Sequence, residues 1–233
     1  MHKLKNLWKE IEDSYIGTKK YFFLSPTHYS IYHDSIPIFK KYIMGRTLDL
    51  GAGRLGWKFL IEKFSSEYFS ADINLANKNL SFIADASSIP INNDAFDTVV
   101  FLQVLEHTRN PAQILTEITR VLKKNGTVII SFPHLSYVHG EPQDYFRYTI
   151  YGFKSLCPDN LKIETFQESG GFICFVFTPL FIFLNIITHN IPILNKMFFF
   201  LFKLFSVLFF HLDRLFGLRK IYPLNYIVIL RKK

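Results

Sequence analysis

The chain has 233 residues, a formal net charge of +8, and 49% hydrophobic residues, among them 26 phenylalanines. That length accommodates one α/β domain with a full core and a few dozen residues more, and so apolar a composition excludes a disordered basic tail. Cys157 and Cys174 have neither metal-ligand spacing nor the density of a disulfide scaffold, and no basic run interleaves with aromatics as a nucleic-acid module requires.

The opening Met1-His2-Lys3-Leu4 leads into Lys9, Glu10, Glu12 and Asp13 instead of an apolar signal core, so a cytoplasmic, reduced protein is expected, with no nucleic-acid partner. Residues 1–43 mix aromatic and charged positions without a strand period and read as an N-terminal helical cover. From Arg46 short apolar runs alternate with helical patterns, the mark of a parallel sheet covered on both faces, with strands near 46–50, 67–71, 81–84, 96–102 and 127–132. Between the last two, residues 110–124 read as a helix: Asn110 as cap, Pro111 in the first turn, and Ile114, Leu115, Ile118, Val121 and Leu122 on one face, stopped by Asn125-Gly126. Two further strands, near 161–167 and 225–231, bring the sheet to seven. The expected organisation is a catalytic domain of residues 44–171 and 219–233, interrupted by an apolar insert at 172–218.

The strand at 46–50 stops at Gly51-Ala52-Gly53, where glycine lets bare backbone approach a ligand. By spacing alone, Gly51, Gly53 and Gly56 with Asp72 beyond fit a dinucleotide site as well as an S-adenosylmethionine site. Asp49 separates the two, since a carboxylate there repels a pyrophosphate and attracts an amino group. Asp85, at the end of a third strand, adds an acceptor suited to an adenine amino group.

With Phe96-Asp97-Thr98-Val99-Val100-Phe101-Leu102-Gln103-Val104-Leu105-Glu106-His107, Asn110-Pro111 and Arg120 to Thr127, residues 46–135 resemble the class I methyltransferases of the type 11 branch. The resemblance implies a Rossmann-like, mostly parallel sheet ordered 3-2-1-4-5-7-6 and the cofactor S-adenosyl-L-methionine. It implies cofactor contacts from Asp49, Gly51, Ala52 and Gly53 at the methionine end, Asp72 and Ile73 at the ribose, Asp85 and Ala86 at the adenine, and Gln103 near the methyl. The family's third glycine is replaced here by Leu55.

A sulfonium methyl is already electrophilic, so the protein has mainly to aim a nucleophile and exclude water. Candidate acid/base residues are His107, His134 and His139, of which His139 is preferred, while the resemblance favours an orienting role for His107. In the run Glu141 to Thr149, Arg147 can grip a substrate with Tyr145 and Tyr148 as walls, or it can pair with Asp144 or Glu141 and stiffen the loop. No metal ligands are expected.

Residues 172–187 are apolar but short for a bilayer and carry Pro179. Residues 197–212 form an amphipathic helix on which Lys196, Lys203 and Arg214 share one stripe. A strand at 225–230 returning to the same sheet forbids a single crossing, so the insert is expected to lie in an anionic membrane surface on the cytoplasmic side, a buried cap or a homodimer interface being the competing uses. The sequence therefore predicts O-methylation of a membrane-borne or lipid-linked small molecule or saccharide. A non-catalytic, membrane-tethered binding protein of the same fold is the alternative, kept open by Leu55.

Overall fold

The computed structural model describes residues 2–74 and 77–233. In chain order it contains α1 (His2–Tyr15), a 3-10 turn (Lys19–Phe23), α2 (Pro26–Tyr42), β1 (Arg46–Leu50), α3 (Lys58–Ile61), β2 (Glu67–Asp72), β3 (Phe82–Ile83) and β4 (Phe96–Leu102). A second 3-10 turn (Leu105–His107) precedes α4 (Pro111–Val121), β5 (Leu122–Pro133), α5 (Ile150–Lys154), β6 (Leu161–Ser169), α6 (Phe172–Thr188), α7 (Pro192–Leu215), α8 (Leu218–Ile221) and β7 (Asn225–Lys232). The chain forms two compact units. The chain up to Ser35 and Glu168–Leu224 make one, Ile36–Gln167 and Asn225–Lys233 the other. The N-terminal segment and the insert thus belong to one body.

The larger unit is built on a seven-stranded sheet in the order β3-β2-β1-β4-β5-β7-β6. The pairings β1 with β2, β1 with β4, β2 with β3 and β4 with β5 are parallel, and β7 runs antiparallel to β5. Leu48, Val99, Val128 and Leu230 lie in register across four strands and are fully buried, as an apolar strand run covered on both faces requires. The chain leaves β1 toward β2 and β3 and then returns to β4 on the other side, so a crevice opens at the carboxyl ends of β1 and β4.

The helix read at residues 110–124 is shorter than its apolar period. It starts with Pro111 at its first position, but Asn110 makes no side-chain cap, and the backbone turns extended at Leu122. There Leu122 pairs with Phe96, so sheet pairing claims the last residue of the apolar stripe. Asn125 is left-handed inside β5, not beyond a helix.

In the smaller unit Trp8, Ile11 and Leu24 form a core against Ile182, Ile186 and Phe199, so α1 packs on α6 and α7. Asn185 Nδ2 donates to the Leu24 carbonyl at 3.0 Å, and the hydroxyls of Thr27 and Thr178 meet at 2.7 Å. The N-terminus of α6 is capped from α7: the buried carboxylate of Asp213 accepts from Ile173 N–H at 2.9 Å and Cys174 N–H at 3.0 Å. A Cβ on Gly171 would fall 2.6 Å from Asp213 Cγ, so this cap requires glycine at position 171.

Candidate active site

β1 delivers the chain to Gly51 with φ +70°, followed by Gly53 at φ +51°. The N–H groups of Gly51 and Ala52 both donate to the Ala71 carbonyl, at 2.8 and 3.0 Å, and Gly53 N–H donates to Asp72 Oδ2 at 2.8 Å. The turn therefore spends on β2 the amides that a pyrophosphate would need. This is the structural reason that the dinucleotide reading, open on spacing, does not fit.

Leu55, at the family's third-glycine position, has φ +63°. The turn keeps its left-handed geometry and the leucine is strained into it, at a cost of about 1–2 kcal/mol. The loop is not reshaped to suit the larger residue. Replacing Leu55 by glycine should stabilise the chain by about 1 kcal/mol, read as a higher midpoint of urea unfolding; an unchanged or lower midpoint would show that the leucine is at ease there.

A cleft of about 670 Å³ lies over this turn. Its wall includes Leu50, Gly51, Asp72, Ile73, Asp85 and Ala86, six residues at the carboxyl ends of β1, β2 and β3, together with Val104, His107 and Tyr145. Asp72 is fixed by Gly53 N–H and by Asn74 N–H, each at 2.8 Å, and Asp85 by the amide and hydroxyl of Ser87, at 2.8 and 2.7 Å. A carboxylate has acceptor capacity beyond two such bonds. Ile73 is 66% exposed, an apolar side chain held open to solvent at the cleft wall.

Asp49 is 3% exposed, and its Oδ2 accepts from Tyr68 OH at 2.8 Å. Burial, with the nearby charge of Asp72 adding to it, raises its carboxyl to about pKa 7 despite the Tyr68 hydrogen bond. Asp72 and Asp85 in the cleft wall suit a cationic ligand, whereas Asp49, buried at the end of β1, and Ala52 and Gly53 of the turn are not part of that wall.

The structure separates the other expected site residues. Gln103 has φ +55° and sends its side chain to Ser131 Oγ at 3.1 Å; it does not line the cleft. Tyr148 is 6% exposed, packs its ring on Phe132 and directs its hydroxyl to the Leu105 carbonyl, so it is a core residue and no pocket wall. Arg147 is taken up by Asp144 through contacts of 2.6 and 2.8 Å and by the carbonyls of Ser136 and Tyr137, so of the two uses open to it the structure shows loop stiffening. Tyr145 does line the cleft, and its hydroxyl accepts from Arg109 Nε at 3.0 Å. His134 reaches the Tyr148 carbonyl and lies outside the cleft wall.

His107 and His139 come together, ring centroids 4.9 Å apart and nearly perpendicular. His107 Nδ1 meets the Gln143 carbonyl at 2.5 Å, so it orients the loop and lines the cleft at once. Burial works against charge on His139, but Glu106, the Tyr137 carbonyl and Asp144 outweigh it and hold its pKa above the usual value. Glu106 itself is fully buried. It, Thr108, Arg109, Asn110 and Gln143 are functional candidates that sequence reasoning missed; the turn Leu105–His107 with its Asn110-Pro111 exit is the signal that pointed to their neighbourhood.

The sheet order and the cleft at its switch point define a Rossmann-like fold. Residues 48–130 match the family model described as "Methyltransferase domain". An uncharacterized protein of Methanocaldococcus jannaschii is 32% identical over 105 residues, 43% of this chain and 51% of that protein, so the chain spans about half the length of this curated relative. Among solved structures, the cyclase SpnF aligns with TM-score 0.60 at 14% identity over 87% of this chain and 80% of its own. An S-adenosylmethionine-dependent methyltransferase from Mesorhizobium loti aligns with TM-score 0.51 at 16% identity over 85% and 96%. These likenesses establish the fold, and one of its bearers is a cyclase, so the reaction has to be argued from the site.

Proposed function

We propose that the chain is an S-adenosylmethionine-dependent methyltransferase acting on an oxygen of a membrane-borne or lipid-linked small molecule or saccharide. The observation that carries the reading is the cleft at the β1/β4 switch point, acidic at Asp72 and Asp85 with Asp49 buried at the end of β1, and with the turn amides already satisfied by β2. Such a site rejects phosphate and accepts a ligand with a sulfonium and an ammonium group. Asp72 and Asp85 are held where they can accept from ribose hydroxyls and an adenine amine, Ile73 offers an apolar face, and Asp49 sits beneath the turn to balance positive charge. The cofactor supplies an electrophilic methyl; the protein's part is to place the acceptor oxygen and keep water away. Methyl transfer forms the oxygen–carbon bond, breaks the sulfur–carbon bond and releases the acceptor's proton. The Glu106–His107–His139 corner of the cleft is where that oxygen is activated.

Asp49 gives this reading a pH signature. With its carboxyl raised to about 7, the free folded chain holds a proton that the unfolded chain gives up near pH 4, so this group's contribution to stability is present at acid pH and lost as pH rises through about 7. A cationic ligand favours the ionised form. S-adenosylmethionine affinity should therefore rise about tenfold from pH 6 to 8 with release of up to one proton, limited above by the ligand's own amine near pH ~8. Calorimetry in buffers of different ionisation enthalpy measures both, and Asp49→Asn should flatten the profile. No binding at any pH would overturn the assignment.

The membrane element is supported by the smaller unit. α7 is the one helix among the described residues long and apolar enough to cross a bilayer, and 17% of its most apolar stretch is buried. Its buried residues Phe202, Ser206, Phe210 and Asp213 mark one face, while Met197, Phe200, Leu204 and Leu208 mark an exposed apolar arc. The exposed Lys196, Lys203 and Arg214 lie at the border between the two. α6 exposes a matching stripe of Phe175, Leu180, Phe183 and Ile187. A transmembrane hairpin would drag α1, with its exposed Lys3, Lys5, Lys9 and Glu10, into hydrocarbon, whereas helices lying in the interface keep those charges wet. Co-sedimentation with phosphatidylglycerol vesicles should pellet the intact chain, and Phe200, Leu204 and Leu208 all changed to serine should release it. A chain that stays in the supernatant, or that dimerises through this face, would end the membrane reading.

A further inference from the structure

We propose that Glu106, His107 and His139 form a binding site for a divalent transition-metal cation at the end of the cofactor cleft. The case begins with an unsatisfied group. Glu106 has no exposed surface, and neither carboxylate oxygen has a hydrogen-bond partner among the described residues. A buried acceptor left that way is costly, and a ligand in the structure's own plan is the ordinary remedy.

What Glu106 faces is two imidazole nitrogens. His107 Nε2 lies 3.7 Å and His139 Nε2 3.8 Å from Glu106 Oε1, too far for hydrogen bonds. One donor atom from each of the three residues falls within a span of 4.8 Å. For nitrogen and oxygen ligands at about 2.1 Å from a shared ion, the 3.7 and 3.8 Å separations correspond to angles of ~120–130°, while the 4.8 Å span exceeds the ~4.2 Å that two such ligands can bridge, so an ion would have to draw the set in by more than about half an ångström to complete an open three-ligand site.

The surroundings point the same nitrogens inward. His107 Nδ1 is held by the Gln143 carbonyl, which makes Nδ1 the donor and leaves the Nε2 lone pair toward Glu106. His139 Nδ1 lies 3.2 Å from the Tyr137 carbonyl, to which it donates in the tautomer that leaves Nε2 free for a ligand, and 3.3 Å from Arg147 Nη2, a donor that this tautomer does not bind; His139 backbone N–H donates to Asp144 at 2.6 Å, so the backbone is fixed. Carbonyl-braced imidazoles converging on a carboxylate are a ligand set for zinc, cobalt, manganese or iron more than for magnesium or calcium. A Cβ on Gly140 would stand 2.7 Å from His107 Cε1, so the loop closes against the ring only because position 140 is glycine.

His107 lines the cleft, so an ion here would reach an acceptor oxygen, polarise its hydroxyl and let the proton leave to solvent; His139 then serves as a ligand and not as a base. That catalytic use rests on the methyl-transfer reading; the site itself does not. The test is direct binding of cobalt(II) and zinc(II) to chelator-treated protein, by calorimetry and by the visible absorption of the cobalt form, with S-adenosylmethionine binding measured on the same sample. The expected result is one equivalent bound at micromolar affinity or tighter, weakened at least tenfold in His139→Ala and in Glu106→Gln. His139 is the partly exposed member, so its variant tests the site even where the Glu106 variant does not fold. No binding by the parent chain, or binding unchanged in His139→Ala, overturns the metal site. S-adenosylmethionine binding preserved in that case leaves the methyltransferase reading standing.

Discussion

Gly51→Val should abolish S-adenosylmethionine binding, by at least a hundredfold in affinity, and cost about 2–4 kcal/mol of stability. Two independent constraints meet at this residue. Its φ of +70° is a conformation a β-branched side chain avoids, and a Cβ there would come within 2.6 Å of Val104 Cγ2. The turn cannot move away, because Gly51 N–H is bound to the Ala71 carbonyl at 2.8 Å and Val104 is itself part of the cleft wall. The constraints separate experimentally: in a Val104→Ala background, Gly51→Ala should recover the part due to the clash and keep the part due to φ. Gly53 is the control. Its φ is +51° but nothing lies within 4 Å of its would-be Cβ, so Gly53→Ala should cost only the backbone strain of about 1–2 kcal/mol. Calorimetric affinities and urea unfolding of the four variants decide, and a Gly51→Val chain that binds within threefold of the parent would place the cofactor elsewhere.

Asp213→Ala should remove about 3 kcal/mol from the smaller unit, as two charge-assisted bonds to the start of α6 are lost and the buried Cys174 N–H is left without an acceptor. Asp213→Asn keeps one good acceptor and should lose roughly half as much. Limited proteolysis reports the effect locally: cleavage should concentrate near Gly170-Gly171 and the α6 start in the alanine variant. Resistance equal to the parent's would mean that packing of α6 on α1 holds the helix without its cap.

The sheet was legible because its strands are short apolar runs, the first three leading into glycine or aspartate, and because the run through Glu106-His107 resembles that of a known branch. Asp72, Asp85, Ala86 and Ile73 were legible for the same reason, as strand-end residues whose position follows from sheet order. Gln103 and Tyr148 were not, because each is decided by a partner far along the chain, Ser131 for one and the Leu105 carbonyl with Phe132 for the other. Glu106 escaped notice as the middle letter of a motif, since only the fold brings residue 139 beside residues 106 and 107. The end of α4 was misplaced because periodicity does not report that Leu122 pairs with Phe96. Leu55 reads in sequence as a departure from the family and in three dimensions as the same turn under strain.

The smaller unit is assembled from segments that ribosomes make far apart in time. α1 and the residues up to Ser35 precede Glu168 by the whole length of residues 36–167, which takes about ten seconds or more to synthesise. Throughout that interval Trp8, Ile11 and Leu24 have no α6 or α7 to pack on. The nascent chain thus presents the apolar face of α1 before its packing partners exist. Moving residues 2–35 to follow Lys233 by circular permutation would shorten that wait, and the permuted chain should aggregate less during cell-free translation.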